Sequence, residues 1–358
     1  MTRPASTRRT TARKVHSNHQ PDYHQAVKQE LCKPSRVVFQ QCIAVLLAIL
    51  ILAPGMLLLS ACQTQPAGDT GLPIRVGTIA CEDTLPFWVA EQSGLFKDAG
   101  FSVEIKVFAS SRALSASVAA NEVDLAVLDS LATVSLVASG TPLQLLWVAL
   151  GTDAKQGHFS IVTNPSSGYR YLSDLLDVPI AVEQDTMGEY IVDCAVTAAE
   201  MSSEDFQFEP TVSTAVCYDL LSTGQVKAAV LPAPWAYYAE RNGMTVVYDD
   251  AYGENISQTL MVANVDFIES LDAEQLAALQ GVWNDAVDIL NAAPDDYMTL
   301  LVQKSSLPPM IVDGYQLSVY PQAERPTDWM ISAVSEWMTA ESFLKGAISY
   351  SQQTGRLE

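Results

Sequence analysis

Basic charge and histidine are scarce in this chain. Its 358 residues carry 20 Lys and Arg against 41 Asp and Glu, a net charge of −21, and four His. Eight of the basic residues (Arg3, Arg8, Arg9, Arg13, Lys14, Lys28, Lys33 and Arg36) fall within 1–61, beside two acids, Asp22 and Glu30. Residues 62–358 therefore hold 12 basic and 39 acidic side chains, a net of −27. A surface that acidic repels phosphate backbones and excludes nucleic acid as a partner. Beyond residue 61 the one histidine is His158, on a predicted strand, where a packed or surface imidazole is the plain reading. No G-x-S-x-G, HExxH or P-loop pattern occurs, so the usual hydrolase, zinc-protease and nucleotide signatures are missing. Six cysteines are present, and the spacing of Cys81, Cys194 and Cys217 fits no zinc or C-x-x-C pattern. Those three thiols allow one disulfide, with Cys194–Cys217 the better pair, or three free thiols. No cofactor and no metal site is expected. Apolar residues make up 49% of the chain, a globular composition.

One long uncharged run stands out. Residues 37–61 are dominated by Val, Leu, Ile and Ala and follow the basic stretch that ends at Arg36, as the h-region of a secretory signal follows its n-region. The run ends in Leu59-Ser60-Ala61-Cys62, which resembles the lipobox of bacterial lipoproteins. That resemblance implies a signal peptide over 1–61, lipidation of Cys62 and a membrane anchor. The alternative is an uncleaved spanning helix, for which the run is long enough. Either way residues 63–358 face away from the cytoplasm, because the basic flank stays inside. Residues 62–71 read as a short polar tether.

From Leu72 onward, β-rich runs alternate with helical ones. Strands are expected at 74–79, 102–108, 124–128 and 143–150, with helices at 87–99, 113–121 and 131–138 between them. The pattern restarts with strands at 158–163, 180–183, 228–231 and 245–248 and helices at 189–200, 214–223 and 236–241. Such alternation implies mostly parallel sheets flanked by helices. Residues 121–128 overlay 224–231 without gaps, with Val123, Ala126, Val127 and Leu128 recurring as Val226, Ala229, Val230 and Leu231; the same offset matches Gly140 to Gly243. Asp83-Thr84 overlays Asp185-Thr186 in like manner. Two lobes of like topology account for the repeat. A strand-like segment at 257–265 then leads to helices at 273–292, 295–304 and 328–339, punctuated by Pro294, Pro308, Pro309, Pro321 and Pro326. These are expected to pack back on the first lobe. Lobe 1 then spans 72–152 plus 254–358 and lobe 2 spans 153–253. Crossings near 151–157 and 249–257 would form a hinge able to close on a ligand.

In open parallel sheets, ligands sit beyond the carboxyl ends of the strands, where helix N-termini offer free N–H groups. The turns that qualify are 81–86, 110–112, 129–130, 185–188 and 232–235. The candidate ligand-binding residues are therefore Glu82, Asp83, Thr84, Trp88, Ser110, Ser111, Arg112, Asp129, Ser130, Asp185, Thr186, Met187, Gly188 and Trp235. Ser110-Ser111-Arg112 can hold an anion, or can be a helix cap beside a solvated Arg. Asp129 and the Asp185-Thr186 pair are ligand contacts or caps. Trp88 and Trp235 stack on a ligand or pack in the core. With Glu183 included, the cleft is acidic on balance and Arg112 is its single cation, which favours a cationic or amino-heterocyclic ligand over nitrate or sulfonate.

The stretch from Pro86 to Gly100 (Pro-Phe-Trp-Val-Ala-Glu-Gln-Ser-Gly-Leu-Phe-Lys-Asp-Ala-Gly) resembles the first-helix signature of the SsuA/THI5-like (NMT1-like, NitT/TauT-type) solute-binding proteins. Residues 172–182 resemble the start of that family's second lobe, without its Gly-Lys step. Residues 224–230 resemble its G-x-V-D-A strand, with Lys227 in place of Asp. The resemblance covers roughly residues 74–252. It implies an α/β, two-lobe periplasmic-binding-protein type II fold; with the lipobox, the secretion signal and the scarcity of histidine, the expectation is a non-enzymatic, monomeric lipoprotein. Such a protein captures a small molecule such as a sulfonate, nitrate-like anion or amino-pyrimidine and hands it to an ABC permease and ATPase. The alternatives are a thiamine-pyrimidine or menaquinone-pathway type of enzyme on the same fold, or a solute-sensing co-receptor.

Overall fold

The computed structural model describes residues 71–183, 186–253, 256–305 and 307–357. These lie in one unit, Gly68–Glu358. The expected signal peptide, most of the tether and Cys62 fall outside the described residues, and so does Asp185. Among the described residues no helix is long and apolar enough to cross a membrane.

Two sheets organise the unit. The first begins with β1 (Leu72–Ile79), β2 (Phe101–Phe108), β3 (Leu125–Asp129) and β4 (Leu143–Leu150). β1 pairs in parallel with β2 and β3. All eight residues of β4 are buried, which explains its unbroken apolar run. The second sheet takes β5 (Phe159–Thr163), β6 (Pro179–Glu183), β7 (Gln207–Thr211), β8 (Ala228–Pro232) and β9 (Thr245–Asp249), in the order β7-β6-β8-β5-β9. The chain then returns to the first sheet as β10 (Thr259–Asn264), inserted antiparallel between β3 and β4. Two short strands, β11 (Tyr350–Ser351) and β12 (Arg356–Leu357), extend the sheet beyond β4 to give the order β11-β12-β4-β10-β3-β1-β2. The core of each sheet thus has the same plan, four strands in one direction and one reversed strand, β10 or β5, second from that core's edge. The reversed strand is in each case the one that arrives from the other lobe. The passages between sheets occupy 151–158 and 250–258.

Helices cover both faces. They are α1 (Leu85–Gln92), α2 (Leu95–Asp98), α3 (Ser111–Ala119), α4 (Ser130–Ala138), α5 (Gly188–Ala198), α6 (Thr214–Ser222), α7 (Ala233–Arg241), α8 (Val265–Ser270), α9 (Ala273–Ala292), α10 (Met298–Ser305) and α11 (Asp328–Ala340). Alternate strand residues feed two separate apolar clusters. Val127, Trp147, Ala181 and Ala229 join one, and Ala126, Val148, Ile180 and Val230 join the other. Period-two alternation means that the clusters lie on opposite faces of the sheets. Residues of α1, α9 and α10, with α6 and α7, belong to the first cluster; those of α3, α4, α5 and α11 belong to the second.

Several expectations are corrected here. The helix expected over 87–99 is two helices, because Gly94 turns left-handed at φ 75° and ends the first run. The helix expected over 295–304 begins as a single 3-10 turn, Pro294–Tyr297. β7 and the β11–β12 hairpin were not expected. Of the two alternatives left open for the thiols, the one without a disulfide holds: Cys81, Cys194 and Cys217 are not disulfide-bonded. Cys217 belongs to one apolar cluster and Cys194 packs against the other, so the sheet separates the two sulfurs.

Candidate functional site

The parallel strands of both sheets point their carboxyl ends at a shared cavity of about 450 Å³, a volume within the usual range for small-molecule sites. Strand ends pass into helix starts there, and three of those starts carry a side-chain cap. Ser110 Oγ accepts from Ala113 N (3.2 Å) to open α3. Asp129 Oδ1 accepts from Ala132 N (2.6 Å) to open α4. Ser213 Oγ accepts from Val216 N (3.4 Å) to open α6. The starts of β5 and β10, reversed in direction, reach the same end and add Phe159 and Thr259 to the wall. Ser305 and Leu307 close it from the end of α10.

Of the sequence-predicted residues, Glu82, Asp83, Ser110, Ser111, Asp129, Thr186, Met187, Gly188 and Trp235 line the cavity. Four described candidates do not. Thr84 is buried, with its hydroxyl donating to the Cys81 carbonyl (3.0 Å). Trp88, one turn into α1, is 6% exposed, and Lys304 Nζ lies 3.7 Å from its ring centroid. Arg112 is exposed and outside the lining. Ser130 is fully buried and donates to Met187 Sδ (3.7 Å), a contact between the lobes. A second contact between lobes runs from Ser111 Oγ to Glu183 Oε1 (3.4 Å).

Lining residues that the sequence reading did not single out include Phe108, Phe159, Ser213, Thr214 and Thr259. Ser213-Thr214 stands at the same offset from Ser110-Ser111 as the internal repeat found further along. Carrying that overlay back through the turn would have found it; the overlooked edge strand β7, with Glu209 and Pro210 in it, hid the equivalence.

The charged lining is acidic. Glu82, Asp83, Asp129 and Glu183 contribute carboxylates, and among the described residues no Lys, Arg or His lines the cavity. Glu82 is 3% exposed and accepts from Tyr315 Oη and from Ser318 N (2.9 Å). Glu183 Oε2 accepts from Thr214 N (2.9 Å) and Thr214 Oγ1 (2.7 Å). Burial pushes the Asp129 carboxyl up to about 7, against the backbone N–H of Ala132 and with help from the charges of Glu183 and Asp83. Burial also raises Asp83 and Glu82. The Cys81 thiol is pushed well up, by burial first and by the charge of Asp83 second, which keeps it neutral and unsuited to nucleophilic attack.

One group of described residues brings metal-ligating atoms within 4.8 Å of one another, His158, Asp249 and Asp250, at the ends of the two passages between sheets. An ion pair accounts for the convergence, with His158 Nδ1 2.9 Å from Asp249 Oδ1. Asp250 Oδ1 meanwhile accepts from Phe159 N (2.8 Å). Burial opposes the proton on His158, but its bond to Asp249 and the charges of Asp249, Asp250 and Glu82 raise it overall.

With this geometry in view, the comparison with known families is direct: the NMT1/THI5 like family matches residues 82–297. The chain belongs to that family. No curated protein sequence matches. Among solved structures, the chain is similar to the alkanesulfonate-binding protein SsuA from Xanthomonas axonopodis pv. citri bound to MOPS (18% identity, 76% of this chain and 94% of that chain, TM-score 0.65). It is also similar to the periplasmic aliphatic sulphonate-binding protein SsuA from Escherichia coli (15% identity, 77% and 94%, TM-score 0.65). The periplasmic nitrate-binding protein NrtA from Synechocystis PCC 6803 is a third relative in shape (13% identity, 76% and 81%, TM-score 0.58). At these identities the likeness establishes the shared fold, a two-lobe periplasmic-binding-protein architecture.

Proposed function

We propose that this protein is an extracytoplasmic solute-binding lipoprotein, held to the membrane through Cys62, that captures a small molecule between its lobes and delivers it to an ABC permease and ATPase. The observation that carries the reading is the cavity, walled by strand ends from both sheets and large enough for a small organic molecule. Membership of the NMT1/THI5 like family and the similarity in fold to sulfonate- and nitrate-binding proteins support it. The apolar run before Leu59-Ser60-Ala61-Cys62 supports secretion and lipidation. In this reading the lobes, 72–152 with 254–358 and 153–253, move about the two passages as a hinge. A solute that touches both lobes shifts the population towards the closed form by its differential affinity. The protein acts as a monomer.

The test follows from Trp235, 9% exposed on the cavity wall at the start of α7. Titration of the full chain with its solute is expected to raise the melting temperature and change tryptophan fluorescence. In Trp235→Phe the thermal shift should remain and most of the fluorescence change should go. A panel of sulfonates, pyrimidines, amines and inorganic anions that moves neither signal defeats the reading. Cys62→Ser should move the protein out of the membrane fraction; full retention there argues against the anchor.

A further inference from the structure

Several of the donors that would grip an anion in this cavity are already taken. The first-turn N–H and hydroxyl of Thr214, at the start of α6, hold Glu183 Oε2, and the Ser111 hydroxyl at the start of α3 holds Glu183 Oε1. One internal carboxylate thus occupies facing helix starts on both lobes. At α4 the incoming charge is Asp129 itself, bound to Ala132 N. The backbone N–H of Ser318 and the hydroxyl of Tyr315 are spent on Glu82. At α5, Thr186 Oγ1 accepts from Gly188 N (3.4 Å), and at α7 the Ala233 N–H donates to the His158 carbonyl (2.8 Å). Helix N-termini attract anions through free donors and the dipole; here the chain supplies its own anions or acceptors. The residues between 71 and 357 that lie outside the described set, Gln184, Asp185, Glu254, Asn255 and Ser306, include no base.

We infer that the solute is an organic cation, a protonated amine or amidine on an apolar body, held by Asp129 and Asp83 rather than an anion of the sulfonate or nitrate kind. The inference rests on the binding role proposed above. Glu82 and Glu183 are engaged with elements elsewhere in the protein, whereas Asp129 is engaged only by the first-turn N–H groups of its own helix, with Ala132 N on Oδ1. Asp83 stands beside Thr259 on the same wall. Both carboxyls lose hydration through burial, so a cation that replaces the lost water gains a charge-assisted hydrogen bond in a medium of low dielectric. A sulfonate placed there would meet four carboxylates and no lining cation. Phe108, Leu114, Leu128, Met187, Phe159 and Trp235 supply the apolar remainder of the wall, which suits a hydrocarbon or aromatic body.

The test uses the full chain in detergent, read by tryptophan fluorescence and thermal shift. Phenethylamine, phenethyl alcohol and phenethylsulfonate share one body and differ in charge; butylamine and butanesulfonate repeat the comparison on a smaller one. The amine is expected to bind about 10- to 100-fold more tightly than its sulfonate, the range for a hydrogen bond to a charged group. Asp129→Asn should weaken amine binding by a similar factor and leave the alcohol unchanged; Asp83→Asn provides the same comparison should the first variant fold poorly. Sulfonate binding equal to or tighter than amine binding overturns the cation inference and leaves the binding role standing. So does an amine preference that survives in both variants. Where no probe responds, the small molecule released on denaturing the protein purified from its own cells decides by its charge: a cation supports the inference and an anion overturns it. No response and no released molecule remove the binding role itself.

Discussion

Asp129 caps a helix, lines a cavity and carries a charge that burial resists, and those three roles make its substitution informative. Its pKa stands at about 7 in the folded protein against 3.8 for the free side chain. The folded protein therefore keeps a proton that the unfolded chain releases between those values. Stability falls as pH rises through that window and levels off above it. Asn at 129 retains an oxygen to accept from Ala132 N and remains a good cap. Asp129→Asn should thus raise the melting temperature of the empty protein more at pH 8 than at pH 5, in scanning fluorimetry at both values. An equal shift at the two pH values contradicts the assignment. His158 works in the same direction: its raised pKa, held up by Asp249, makes that pair stabilising at low pH, with the contribution lost as pH rises through the folded value. Much of this was legible in residue order, because Asp129 and Ser110 follow strand ends and precede helices. Trp88 and Ser130 show the limit. Trp88 follows a qualifying turn and Ser130 lies in one, but their directions depend on packing partners, Lys304 and Met187, far away in sequence.

At the scale of elements, two left-handed glycines separate backbone strain from crowding. Gly94, between α1 and α2, has φ 75° and nothing within 4 Å of where a Cβ would stand. Gly355, in the β11–β12 turn, has φ 74°, but a Cβ there would collide with the Leu145 carbonyl oxygen on β4. Alanine at 94 should cost about 1 kcal/mol, the left-handed penalty alone. Alanine at 355 should cost clearly more, because the hairpin must also leave its place beside β4, where Leu145 N donates to the Gly355 carbonyl (2.7 Å). Equal losses in chemical denaturation would contradict this account of the hairpin. The sequence marked long apolar strands and amphipathic helices well, and α9 falls over the expected 273–292. It missed β7 and the hairpin, since both are edge pieces with little apolar alternation: Glu209 and Pro210 of β7 are exposed, and β11 and β12 are two residues each.

At the scale of the whole molecule, the lobes touch in several places besides the two passages. Trp337 Nε1 on α11 donates to Asp193 Oδ2 on α5 (2.8 Å), and the Trp337 ring packs 5.0 Å from that of Tyr190. Tyr237 on α7 donates to the Asp313 carbonyl (3.0 Å), and Gly157 N donates to Ser318 Oγ (3.3 Å). The segment after α10 thus straps the second lobe to the first while its Tyr315 and Ser318 hold Glu82 at the cavity. Nothing in the local sequence of 307–326 announces that role, because it depends on a fold-wide return of the chain. The repeat of strand plan between the two sheets, by contrast, was written in the matched residues around Val123 and Val226. The central claim is that the space between these halves holds a small molecule. Native mass spectrometry of the intact protein from its own cells tests it, with Ala109→Trp as the comparison, since Ala109 is an exposed residue on the cavity wall whose enlargement fills the space without entering the core. The account predicts one small molecule bound per wild-type chain and none in the variant. Equal occupancy of both, or a wild-type chain that carries nothing and takes up nothing offered to it, would contradict it.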